Sequence, residues 1–170
     1  MKKVFVTLVA ALSLASCLNS PDYRVEGSKE YTYHGDLVTT VVDTQQTAYD
    51  SRTETTEDGQ PKKYELQVSL PDINVQCIDL TFNGIKFMSR MPELVITMPQ
   101  LTYEVATENG ANVWNINKES VIPTIAGAEF PSYEMRNVVG RLTATEADIS
   151  FDITVSGKEY HAVYSTSMPQ

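Results

Sequence analysis

The sequence predicts an all-β domain: an up-and-down antiparallel barrel of eight strands, with a two-sheet sandwich as the alternative. Three observations predict it. Apolar and polar residues alternate with period two in run after run. Hairpin-type turn signals fall between the runs, at Glu57-Asp58-Gly59, Asn83-Gly84, Asn109-Gly110 and Ser156-Gly157-Lys158. No amphipathic helix pattern interrupts them. Hairpin-length connections favour a barrel over the longer crossovers of a sandwich. Closure also removes the edges that Thr- and Val-rich first and last strands would otherwise expose.

In chain order, residues 1–16 read as a lipoprotein export signal. Lys2 and Lys3 form a basic start, and Val4 to Leu14 an apolar run too short to cross a bilayer, which needs about 20 residues. Leu14-Ala15-Ser16-Cys17 then forms a lipobox. Cleavage after Ser16 makes Cys17 an N-terminus carrying acyl chains such as palmitate, and two or more chains hold a protein stably on a membrane. Leu18 and Asn19 follow, so the aspartate that usually retains a lipoprotein at the inner membrane is absent. The expected address is the outer membrane, on its periplasmic face or at the cell surface. Residues 17–30 form the lipidated cysteine and a polar tether; the thirteen residues Leu18 to Glu30 reach about 45 Å when extended. Residues 31–170 form one domain.

The strands follow. Tyr31 to Asp43 is rich in Tyr, Val and Thr, a composition that suits a strand. Thr44 to Glu57 is polar and reads as an exposed strand or hairpin arm. Tyr64, Leu66, Val68 and Leu70 alternate with polar neighbours, which gives one dry and one wet face. Ile73 to Phe82 changes parity near Cys77, and Pro92 to Val105 changes it at Pro99; such changes predict bulges. Lys118 to Met135 holds Pro123, Gly127 and Pro131 and is expected as a long connection, a lid or a cover over one barrel end. Ala147 to Val155 alternates cleanly, and Glu159 to Thr166 suits the closing strand.

Composition excludes several functions. Removing residues 1–16 takes two lysines away, so the full-length charge of −9 becomes −11, which repels nucleic acid and anionic lipid. There is no Gly-x-Ser-x-Gly, His-Glu-x-x-His, Cys-x-x-Cys or glycine-rich phosphate loop, so no enzyme, metal or cofactor is expected. Glu57-Asp58-Gly59 lacks the other ligands of a calcium loop. Asp148 and Asp152 share one strand face, the usual position of solvated carboxylates. The two histidines, His34 and His161, fall on the first and last strands, where barrel closure would let them approach beside Asp36. With Cys17 committed to lipid, no disulfide is expected, and Cys77 reads as a buried cysteine among Val75, Ile78 and Leu80.

A lipobox, a polar tether, an opening strand Tyr33-His34-Gly35-Asp36-Leu37 and a central Phe87-Met88-Ser89-Arg90-Met91-Pro92 before Leu94-Val95-Ile96 resemble the calycin-like β-barrel lipoproteins of Gram-negative bacteria. That resemblance implies a lipocalin-related barrel with a small-molecule cavity and no catalytic chemistry. The Gly-x-Trp of true lipocalins is missing near the first strand; the one tryptophan is Trp114.

The candidate ligand-binding stripe is Tyr64, Leu66, Val68, Leu94, Ile96, Met98, Ile149, Phe151 and Ile153, with Met88 and Met91 where one end would open. An eight-stranded barrel is wide enough either to be filled by side chains or to hold one small ligand. Two functions are expected from this. One is a membrane-anchored module that binds a small apolar or amphipathic molecule. The other is a filled barrel that presents its acidic rim or Tyr23, Tyr31, Tyr33, Tyr49, Tyr103, Tyr133 and Tyr160 to an envelope protein or glycan.

Overall fold

A computed structural model describes residues 29–70 and 77–168. The signal, Cys17 and nearly all of the tether lie outside them. Eleven strands form: β1 (Lys29–Val41), β2 (Thr47–Asp50), β3 (Tyr64–Leu70), β4 (Cys77–Ile85), β5 (Leu94–Glu108), β6 (Ala111–Val121), β7 (Thr124–Ile125), β8 (Ala128–Glu129), β9 (Met135–Leu142), β10 (Ala147–Val155) and β11 (Lys158–Ser165). Eight of them close an antiparallel barrel in the order β1-β3-β4-β5-β6-β9-β10-β11, with β11 returning to β1 and β2, β7 and β8 outside. Each barrel strand thus pairs with its neighbours in the chain, as the up-and-down expectation required.

Two long strands make the closure possible. β1 pairs with β3 over Lys29 to Gly35 and with β11 over Asp36 to Val41. β5 likewise pairs with β4 up to Thr102 and with β6 from Tyr103. Each passes from one sheet to the other, so the barrel has two corners. At the first stands Gly35, where an added Cβ would lie 2.7 Å from both the Ser165 carbonyl oxygen and the Tyr164 ring. That contact explains the Tyr-x-Gly-x-Leu pattern: Tyr33 and Leu37 point inward, and the ring of Tyr164 takes the space between them. The left-over edges beside both corners are capped, β2 pairing with β1 and β7 with β5.

The parity changes are bulges. Gln100 has φ +54°, and its N–H donates to Asp79 Oδ1 at 2.8 Å, shifting register between β4 and β5. Asn109-Gly110 and Ser156-Gly157 form tight hairpins with both residues at positive φ, as their sequences predicted. Asn83-Gly84 does not turn the chain. Gly84 sits at φ +73° in a bulge inside β4, while Asn83 keeps an ordinary φ and donates to Glu65 across the pair. The 118–135 stretch is also more regular than expected. β6 runs to Val121, Ala126-Gly127 turns the small β7–β8 hairpin, and a 3-10 turn covers Pro131–Tyr133. Buried Ile116 and Val121 lie at opposite parity in β6, which hid the strand pattern. Cys77 is buried, as its neighbours indicated, but the expectation of no disulfide fails: Cys77 is disulfide-bonded.

Candidate functional site

The candidate stripe faces inward. Tyr64, Leu66, Val68, Ile96, Met98, Ile149, Phe151 and Ile153 are all buried in one hydrophobic cluster, and Met88 and Leu94 pack half-buried against it. Strands β4 and β10 stand opposite each other in the barrel order, yet Phe82 of β4 reaches Phe151 of β10 with ring centroids 6.2 Å apart. Phe82 also meets Tyr164 edge-on at 5.4 Å. At this level the rings meet across the lumen, and side chains fill it.

The end where Met88 and Met91 were expected to open is plugged. All three long connections lie there, at residues 42–63, 86–93 and 122–134. The 86–93 segment turns inward and buries Phe87 completely, its ring edge-on to Phe151 at 5.9 Å. Thr39 Oγ1 donates to the Phe87 carbonyl at 2.7 Å, and the Tyr160 hydroxyl donates to Met88 Sδ at 3.0 Å. Only 9 % of Met91 is exposed.

Polar groups lock the plug to the arm that precedes β3. Lys86 Nζ lies 2.6 Å from Glu54 Oε1 and 4.9 Å above the Tyr49 ring. The Tyr49 hydroxyl bonds to Glu54 at 3.0 Å and to the Tyr64 hydroxyl at 2.7 Å. Lys62 and Glu93 form a second bridge between arm and plug. The hydrogen bond from Lys86 holds the Glu54 carboxyl below its usual range, against the effect of burial. Burial, then its bonds to Tyr64 and Glu54, push the Tyr49 phenol strongly up, and burial raises Tyr64 as well. Sequence reading missed Glu54 and Lys86, because only the fold brings these two connections together.

The opposite end carries the start of β1 and, among the described residues, the short turns at 109–110 and 143–146. There the rings of Tyr31 on β1 and Trp114 on β6, again opposite strands, meet at 5.4 Å. Tyr31 stacks on Tyr33 at 6.2 Å, and the Tyr33 hydroxyl donates to the Thr143 carbonyl at 2.6 Å. Burial raises the Tyr33 phenol to about 12.

Several sequence candidates do not come together. His34 stands opposite Glu65, whereas His161 stands opposite Thr40, six residues further along β1. Asp36 is buried and taken by Lys63, its two carboxylate oxygens at 2.7 and 2.8 Å from Nζ. His161 instead pairs with Asp152 at 2.7 Å, and Asn137 donates to the second oxygen of that carboxylate at 2.8 Å. Burial pushes the Asp152 carboxyl up, but these two bonds outweigh it and hold it low. Asp148 and Asp152 do share the outer face of β10. No cluster of three metal-ligating side chains occurs among the described residues. Of the seven tyrosines expected as a contact surface, Tyr33, Tyr49 and Tyr160 are buried, Tyr31, Tyr103 and Tyr133 are half-buried, and Tyr23 lies outside the described residues. Scans against protein-family models, curated proteins and solved structures returned no match.

Proposed function

We propose that this chain is a lipid-anchored, non-enzymatic protein of the outer membrane, whose calycin-like barrel is filled and acts as a rigid body that recognises envelope partners with its ends. The observation that carries this reading is the contact of Phe82, Phe87 and Phe151 across the lumen, which leaves the stripe residues acting as core. The anchoring part rests on the lipobox at Cys17. Cys77 bears on it, since Cys17 is the other cysteine of the sequence and one sulfur cannot hold both a lipid thioether and a disulfide. Intact mass of protein extracted from membranes separates the two, because acylation adds mass that a disulfide does not.

The filled barrel is tested by Phe151→Trp together with native mass spectrometry of residues 17–170, exported behind a non-lipoprotein signal so that both cysteines are kept and no acyl chain is added. Overpacking a full core is expected to cost about 1 to 3 kcal/mol of stability, with a clean apo mass. A reproducible bound small molecule, displaced by Phe151→Trp in a domain of unchanged stability, would sink the filled-barrel reading and establish a luminal ligand site instead.

A further inference from the structure

At the plug end, the connection that follows β6 carries an aromatic pair that the latch does not use. Among the described residues, Phe130 is the one exposed aromatic side chain, at 40 %. Its ring meets Tyr133 edge-on at 5.0 Å, and Tyr133 packs half-buried on the core. Backbone bonds fix both rings. The Phe130 N–H donates to the Pro123 carbonyl at 2.8 Å, the Tyr133 N–H donates to the Phe130 carbonyl at 3.0 Å, and Pro131 opens the 3-10 turn between them. Ile122, equally exposed, stands just before Pro123. Glu129 and Glu134 bracket the pair in the chain. Both are exposed, and neither forms an ion pair among the described residues.

We propose that this pair docks an arginine side chain of a basic partner protein. The same barrel end shows the chemistry twice with the chain's own lysines. Lys86 lies over the Tyr49 ring at 4.9 Å while it pairs with Glu54, and Lys62 lies over the Tyr64 ring at 5.2 Å while it pairs with Glu93. A ring face and a carboxylate attract the same charge, so a cation placed between them gains from both. At Phe130 the rings and the carboxylates stand without such a cation: among the described residues, no lysine or arginine lies over Phe130 or Tyr133. Arginine suits the surface better than lysine, because its planar guanidinium stacks on a ring while its N–H groups reach carboxylates, and its stem covers apolar surface such as Ile122. Net charge favours the same partner, since a chain at −9 draws a basic protein and repels an acidic one. The exposure of the pair does not come from missing neighbours. The chain enters and leaves the described residues toward the other end, where Lys29 pairs with Leu70, Cys77 pairs with Thr102 and Thr166 bonds to Ala147. The inference rests on the reading that the ends of the barrel recognise partners, and it names the end and the chemistry.

The test titrates residues 17–170, both cysteines kept, with the peptide Gly-Arg-Gly-Arg-Gly blocked at its two termini, and follows the aromatic ring signals by NMR. Saturable shifts are expected at Phe130 and Tyr133, with none at Tyr31 or Trp114. Phe130→Leu keeps the apolar bulk and the charge but removes the ring, and should weaken binding about fivefold at an unchanged urea midpoint. Glu104→Gln, which removes an exposed charge near the far end of β5, should leave binding unchanged. No saturable shift at either ring overturns the proposal. Equal weakening by the two substitutions also overturns it, because binding would then be general attraction to an acidic chain. Shifts produced by choline but not by the peptide overturn it in favour of a small cation. A luminal molecule found by native mass spectrometry would sink the filled barrel and leave these ring shifts in place, so the two failures are told apart.

Discussion

One barrel end is closed by a chain segment, whereas at the other, among the described residues, rings meet across the opening. At the plug end, Phe87 enters the core with its backbone behind it, and Lys86–Glu54 and Lys62–Glu93 tie that backbone to the arm. At the end where β1 begins, Tyr31 meets Trp114 across the opening and the Tyr33 hydroxyl donates to the 143–146 turn. Moving the plug requires breaking ion pairs and exposing a phenylalanine, whereas parting Tyr31 from Trp114 breaks a ring contact. The contrast teaches where this barrel is rigid and where it can adapt to a surface.

Phe87→Ala breaks the contrast most severely. Deleting a fully buried ring is expected to cost about 3 to 5 kcal/mol by urea unfolding. Trp114 emission in the folded state should not change, because that ring sits at the other end; a shift would mean that the two ends are coupled.

Glu54→Gln comes next, with an expected loss of about 2 kcal/mol, because it leaves the largely buried Lys86 ammonium without its carboxylate. Acid should act in the same way. Glu54 and Asp50, which Arg52 holds low, both lie on the arm, so their stabilisation is present above the ordinary carboxylate range and is lost as pH falls through their lowered values. Hydrogen exchange on acidification should therefore open the arm and plug before the end where Tyr31 meets Trp114. Simultaneous opening of both ends would show that the latch does not act locally.

The smallest effect is expected at the end where β1 begins. Tyr33 is kept neutral by burial, so its contribution is complete below pH 10 and lost as pH rises toward about 12. Tyr33→Phe removes that share together with the bond to Thr143, about 1 kcal/mol at neutral pH. The alkaline arm of its stability profile should be correspondingly flatter than that of the wild type.

Much of this architecture was legible in the sequence. The alternation of Ala147 to Val155 gives β10 residue for residue, and Asn109-Gly110 and Ser156-Gly157 mark their hairpins, since both signals are local. The inward stripe was legible for the same reason. What misled was local chemistry with two structural uses. Asn-Gly serves a bulge at residues 83–84 and a turn at 109–110, and a parity slip between Ile116 and Val121 disguised β6. The histidine pair failed on register, which no single strand encodes.

The sequence by itself determined the strand count of the barrel, its meander order and the dry face of each strand, because side-chain period and turn chemistry are properties of neighbours in the chain. Only the tertiary structure decided that Phe82 and Phe151 meet across the lumen, that Phe87 enters one end from a connection, and that Glu54 meets Lys86 and Tyr31 meets Trp114. Those contacts join residues tens of positions apart, and they depend on how far each ring reaches into a space whose width is set by eight strands closing together.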